Sequence, residues 1–361
     1  MSTLQKNGTK HIQMLIDTGV ANGTNEARVF GDWEIESEIR IPSNFTLYLD
    51  GCHLVMADGV YSNMFVNKNH GTDIGRTIDG TDKNIKIIGL NNPILDGGNY
   101  NGLSEKTHSK NGLPHIMKNI TIFFSNVENF EITGISIHNN RYWGMCFTYS
   151  RFGKIHNVRF KSSTLCRFED GTTFNYLRLD RYDYIVVRQA DGIDLRQGCH
   201  DIDIYDIYGI TCDDSIALTN LKNCSVAKYG TVEGLSSDIY NVNIKHIRTS
   251  SLSSNVRLLC TDGQQVYNIL VEDLYDTSWQ EHGVSFGLYA VKLQDGHHLY
   301  GQRHGDKHDM RNITLRNIRS RACFAFHLGG YGVENLVLDD VEGFDGAGYV
   351  HDMRVNKGEP Y

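Results

Sequence analysis

The chain has 361 residues, 36 of them glycine and only 4 proline, with 40% hydrophobic content and a formal net charge of −8. Abundant glycine with little proline fits tight turns between short strands better than a disordered or collagen-like chain, while the apolar fraction is enough for a sizeable core. An excess of 43 acidic over 35 basic residues argues against a nucleic-acid partner, and the lack of an apolar run of about 18 residues argues against a membrane-spanning helix or a membrane partner.

The N-terminal stretch MSTLQKNGTKHIQMLIDTGV lacks a basic segment followed by a long apolar one. No signal peptide is therefore expected, which places the protein in the cytoplasm, or outside the cell after loss of a leader. Residues 9–20 carry Ile12, Met14, Leu15 and Val20, a spacing compatible with a short amphipathic helix. Its natural job is to cap the open end of a repeat core. Strands follow, with Phe45-Leu47-Leu49 and Leu54-Met56 alternating and turn signals at Pro42-Ser43-Asn44 and Asp50-Gly51.

From there one phrase recurs: Asn or Asp, apolar, any, apolar, two of any, apolar. It starts at Asn84, Asn129, Asn157, Asp201, Asn241, Asn268, Asn312 and Asn335. Successive starts from Asn129 differ by 28, 44, 40, 27, 44 and 23 residues. A base period in the twenties with loop insertions accounts for these gaps and predicts a solenoid, in which each short strand pairs with the next coil. The leading Asn suggests a stacked turn ladder, since Asn tolerates the left-handed region. The eight cysteines have no CxxC pairs and several sit in apolar strands, so reduced core thiols are expected.

Loops that leave the solenoid are expected near 161–188 and 277–310. The second holds His282, His297, His298, His304 and His308, and without metal-ligand spacing it reads as a solvated or groove-lining loop. Ahead of the first loop, Trp143 offers an aromatic ring that could pack or stack on a sugar. The predicted organisation is a single domain over 1–361, with a cap over 1–40, coils over 41–345 and a C-terminal tail over 346–361.

The chemistry concentrates between Gln189 and Asn220, QADGIDLRQGCHDIDIYDIYGITCDDSIALTN. Asp191 precedes Asp213 by 22 residues, about one coil, so Asp191 can stack against the Asp213-Asp214 pair at one strand spacing of about 4.8 Å. Crowded carboxylates repel, and at least one pKa rises. A protonated and an ionised carboxyl side by side are what glycoside hydrolysis needs. The plain alternative, turn aspartates at coil corners, explains one Asp more readily than three at this spacing.

The chain resembles the right-handed parallel β-helix of the pectin-degrading superfamily, and more closely glycoside hydrolase family 28, the polygalacturonases. The family carries Asn-Thr-Asp, then Asp-Asp, Gly-His-Gly and Arg-Ile-Lys. Here Gln189-Ala190-Asp191 stands at the first motif, Asp213-Asp214 at the second and Arg257 at the Arg of the fourth. Two positions depart. No His lies at 229–235, where Tyr229 or Glu233 would fill the space, and Leu259 replaces the lysine. The resemblance implies an all-β, right-handed parallel β-helix and inverting hydrolysis without metal or cofactor. Asp213 would be the acid, Asp191 and Asp214 would hold and deprotonate water, and Arg257 would hold substrate. Gln189, Arg188, Tyr229, Glu233 and Trp143 would line the site. Losing the lysine removes a charge-assisted contact, so a neutral sugar or another acidic oligosaccharide is expected rather than plain polygalacturonate. A carbohydrate is the expected partner, and a flat sheet face would allow a homo-oligomer. Two other readings stay open. One is a uronate lyase or epimerase, separable by calcium dependence. The other is a non-catalytic glycan-binding β-helix of the phage-adhesion type.

Overall fold

A computed structural model describes residues 4–99, 116–162, 165–167, 171, 173–175, 190–222, 230–278, 287–294, 301, 303 and 305–357. The fold is a right-handed parallel β-helix. One ladder of ten strands runs from Glu26–Val29 to Glu334–Gly343, and a second of ten runs from Ile39–Ile41 to Gly348–Asp352, every pair in both being parallel. The phrase read from the sequence builds the first ladder. Its second, fourth and seventh residues point inward and stack on their equivalents in the next coil. Ile202, Ile204 and Ile207 pair with Val242, Ile244 and Ile247, and these with Ile269, Val271 and Leu274. All nine are at most 2% exposed.

The leading Asn does what its chemistry suggests. Asn44, Asn84, Asn129, Asp201, Asn241, Asn268, Asn312 and Asn335 all have φ between 53° and 60°. Their side-chain amides bond from coil to coil. Asn84 donates to Asn44 at 2.6 Å, Asn268 to Asn241 at 3.1 Å and Asn335 to Asn312 at 3.0 Å. A second left-handed corner, not foreseen, lies five residues further on at Gly134, Asp206, His246, Asp273, Asn317 and Asp340. It bends each long strand of this ladder.

The corners also correct one repeat. Asn157 was read as a phrase start, but Val158 pairs with Ile207, so Asn157 is level with Asp206 at the second corner. The start of that coil is Phe152, at φ 55°. Asn is favoured at both corners for one reason, its tolerance of positive φ, so the local pattern could not distinguish them.

The cap is the Gly8–Ala21 helix, close to the expected range. It buries Ile12 and Ile16, while Met14 and Val20 stay exposed. The edges of the solenoid differ from expectation. Strands begin at Glu26, inside the segment assigned to the cap, and Gly348–Asp352 adds a strand from the segment assigned to the tail. The first expected loop contains a short antiparallel pair, Leu165–Arg167 with Thr173–Asn175. Cys52, Cys146, Cys199, Cys212 and Cys260 are buried thiols outside any disulfide and Cys323 is an exposed one. Among the described residues no helix is long and apolar enough to cross a membrane.

Candidate active site

The outer face of the second ladder carries the carboxylates. The strands Ile193–Leu195 and Ile216–Asn220 pair with Ile193 opposite Ile216, which sets Asp191 level with Asp214. The Gly192 amide donates to the Asp214 carbonyl at 2.9 Å. A Cβ at Gly192 would stand 2.4 Å from the Ser215 carbonyl oxygen, so only glycine lets these coils close up beneath the acids. One coil on, Ser254 is level with Asp214, and its hydroxyl donates to Asp214 Oδ1. Arg257 Nη1 lies 3.5 Å from Asp214 Oδ2.

A fourth carboxylate joins the three read from the sequence. Ile193 faces the core, so strand alternation turns Asp194 outward, where its charge acts on Asp191. Asp194 is 0% exposed and accepts a 2.6 Å bond from Arg196 Nη2. The Arg196 guanidinium in turn lies 3.9 Å from the Trp143 ring centroid. Four acids, Asp191, Asp194, Asp213 and Asp214, thus face two guanidiniums, those of Arg196 and Arg257.

Their titration follows from that imbalance. Burial, then the charges of Asp194, Asp213 and Asp214, push Asp191 well above the ordinary carboxyl range, with Arg196 pulling back. Asp191 Oδ1 and Asp194 Oδ2 are buried and accept no hydrogen bond among the described residues, which penalises their ionised forms further. Asp194 rises to about 7, chiefly by burial, with Arg196 opposing. Asp213 also rises to about 7, by burial and then the Asp214 charge, against Arg257. Of the four, Asp191, Asp194 and Asp214 are buried, and Asp213 alone is partly exposed.

Trp143 stands differently from the sugar-stacking place considered for it. It is 4% exposed, stacked on Tyr142 and covered by Arg196. It holds Arg196, not a ligand. Glu233 is exposed, with its amide on the Arg76 carbonyl at 3.3 Å. Nearby Gly230 packs against Thr148, the last residue of its strand, whereas Asp191 and Asp214 stand before the first residues of theirs. Gln189, Arg188 and Tyr229 lie outside the described residues. So do His282, His297, His298 and His304, while His308 pairs with Glu334 at 2.7 Å. Among the described residues no group of three or more His, Cys, Asp or Glu is placed to hold a metal.

One cation was missed. Leu259, at the lysine position, is 1% exposed. Lys292, one coil on, pairs in register with Arg257 and is half-buried on the same outer face. The local signal was present in Tyr289-Ala290-Val291-Lys292-Leu293, an alternating strand with one polar outward position.

No family model matches the chain, and no curated protein matches its sequence. Solved structures do match. The polygalacturonase of Erwinia carotovora ssp. carotovora superposes with a TM-score of 0.59 at 12% identity, covering 98% of this chain and 94% of that one. Several of the matching structures are polygalacturonases or other glycan hydrolases. Endo-xylogalacturonan hydrolase from Aspergillus tubingensis gives a TM-score of 0.54 at 10% identity, covering 95% of this chain and 90% of that one. The tailspike of E. coli bacteriophage HK620, solved with a pentasaccharide, gives 0.56 at 14%, covering 98% and 62%. At these identities the likeness is one of fold.

Proposed function

We propose that this protein is a glycoside hydrolase that cleaves an acidic oligosaccharide or polysaccharide with inversion. The observation that carries the reading is the four-carboxylate cluster on adjacent coils, in which the partly exposed Asp213 is pushed up to about 7. Around neutral pH about half of such groups still hold a proton, and Asp213 is the one acid of the four that is partly exposed. Asp213 gives that proton to the leaving oxygen. Asp214, contacted by the Ser254 hydroxyl and near Arg257, takes the proton of the attacking water. Asp191, one coil away, steadies the water. The C–O bond breaks as the water oxygen bonds the anomeric carbon.

The substrate class follows from the cations. Leu259 left a neutral sugar and another acidic oligosaccharide both open, and Lys292 brings from the next coil a charge that Leu259 lacks, which favours the acidic alternative. Arg257 and Lys292 side by side favour a glycan bearing carboxylate or sulfate groups.

The test is a screen of acidic polysaccharides comparing wild type with Asp213→Asn, with and without a chelator. Hydrolysis lost in Asp213→Asn and indifferent to chelator supports the proposal, and nuclear magnetic resonance of the first product should show the inverted anomer. Unsaturated products absorbing in the ultraviolet would instead mean a lyase.

A further inference from the structure

Among the described residues, the outer face of the second ladder is fully buried on one side of the carboxylates and partly exposed on the other. Register fixes an outward column through successive coils: Val66, Phe123, Cys146, Asp194, Ala217, Arg257, Lys292, His327, His351. On the N-terminal side of Asp194, Cys146, Phe123 and Val66 are all 0% exposed. Met117, Ile120, Tyr142 and Trp143 pack over them in a separate apolar cluster outside the main core. Arg141, 2% exposed, anchors this cover by donating to the Ala57 and Gly97 carbonyls at 2.9 and 2.6 Å.

On the C-terminal side, among the described residues, Lys292 and His351 are partly exposed while His327 between them is 3% exposed; Tyr289 and Phe324, also partly exposed, bring their rings against His351. The Tyr289 hydroxyl and His351 Nδ1 are 2.9 Å apart, and the Phe324 and His351 rings stack at 5.0 Å. From Asp194 to His351 is five coil steps, roughly 24 Å at the spacing of paired strands. That length takes several sugar units.

We infer that a glycan chain reaches the carboxylates from one side only, by its end, and lies across Arg257, Lys292, Tyr289 and His351, so that the enzyme is exo-acting. The inference rests on the hydrolase reading above. The apolar cover stops the chain just past the scissile bond, and the aromatic and cationic rows hold its remainder.

The experiment uses polygalacturonate and its dimer, tetramer and hexamer, with a sulfated galactan as second polymer. Exo action releases one short product per turnover, and viscosity falls only in proportion to new reducing ends. Tyr289→Ala should lower kcat/KM on the hexamer by about tenfold, the scale of one lost aromatic contact, and by a clearly smaller factor on the dimer. A collapse of viscosity before reducing ends accumulate would overturn the one-sided cleft while leaving the hydrolase standing. So would an equal loss on dimer and hexamer in Tyr289→Ala. Failure of wild type to cut any probe sinks the hydrolase reading and this inference together.

Discussion

Arg257 and Lys292 occupy the same outward position on consecutive coils, although Lys292 lies inside the 277–310 stretch expected as a loop, where the structure instead has the ladder strand Tyr289–Leu293. Arg257 lies beside Asp214, so the outer face changes sign along the solenoid axis, from the Asp191–Asp214 cluster to the Arg257–Lys292 pair. Replacing Lys292 by Ala should raise KM for acidic glycans about tenfold or more, the loss of one charge-assisted contact. It should leave kcat within a small factor, and the effect should shrink as salt screens the charge. Michaelis parameters at low and high salt check this. An unchanged KM would remove Lys292 from the binding surface.

Asp213→Asn should reduce kcat by about 10²–10⁴, the contribution of a positioned general acid, with KM little changed. Wild-type kcat should fall as pH rises through about 7, where Asp213 loses its proton. A pH profile flat between 6 and 8 would mean that another group donates.

The same acids act on stability, and the sign is fixed. A carboxyl whose pKa is raised on folding contributes stability that is fully present below the unfolded value, near 4, and is lost as pH rises through its folded pKa. Asp191, Asp194 and Asp213 all rise. Asp191→Asn should therefore melt above wild type at pH 8, with the advantage vanishing by pH 4. Thermal melts across that range read the difference directly.

Arg196 shows the opposite balance. It is the guanidinium bonded to the buried Asp194 and pressed on Trp143. Arg196→Met should destabilise by about 3–5 kcal/mol, because removing one partner strands a buried charge. Adding Asp194→Leu should recover much of that loss, and denaturant melts of the single and double variants separate charge from packing.

The Asn ladder gives a backbone test. Asn268 sits at φ 57°, donates to Asn241 and accepts from Asn312. Asn268→Ala should cost about 1–3 kcal/mol for the left-handed conformation and the lost bonds. Asn268→Gly should cost less, because glycine takes positive φ without strain. Equal losses would assign the whole effect to the amide bonds.

The sequence alone determined the solenoid, the inward triplets such as Ile202, Ile204 and Ile207, the asparagine corners and the three acids Asp191, Asp213 and Asp214. All of these are local: strand alternation has period two, the corner needs a residue that tolerates positive φ, and Asp213 follows Asp191 by about one coil. What depended on register across coils was decided only by the tertiary structure. Coil lengths here range widely because loops leave the stack, and the ladder pairs strands whatever lies between them. That is why Lys292 joins Arg257, why Asn157 belongs to the second corner, and why Trp143 lies under Arg196 rather than against a sugar. The apolar cover over Phe123 and Cys146 is likewise a contact between distant segments. Its burial is a property that no stretch of the chain carries by itself.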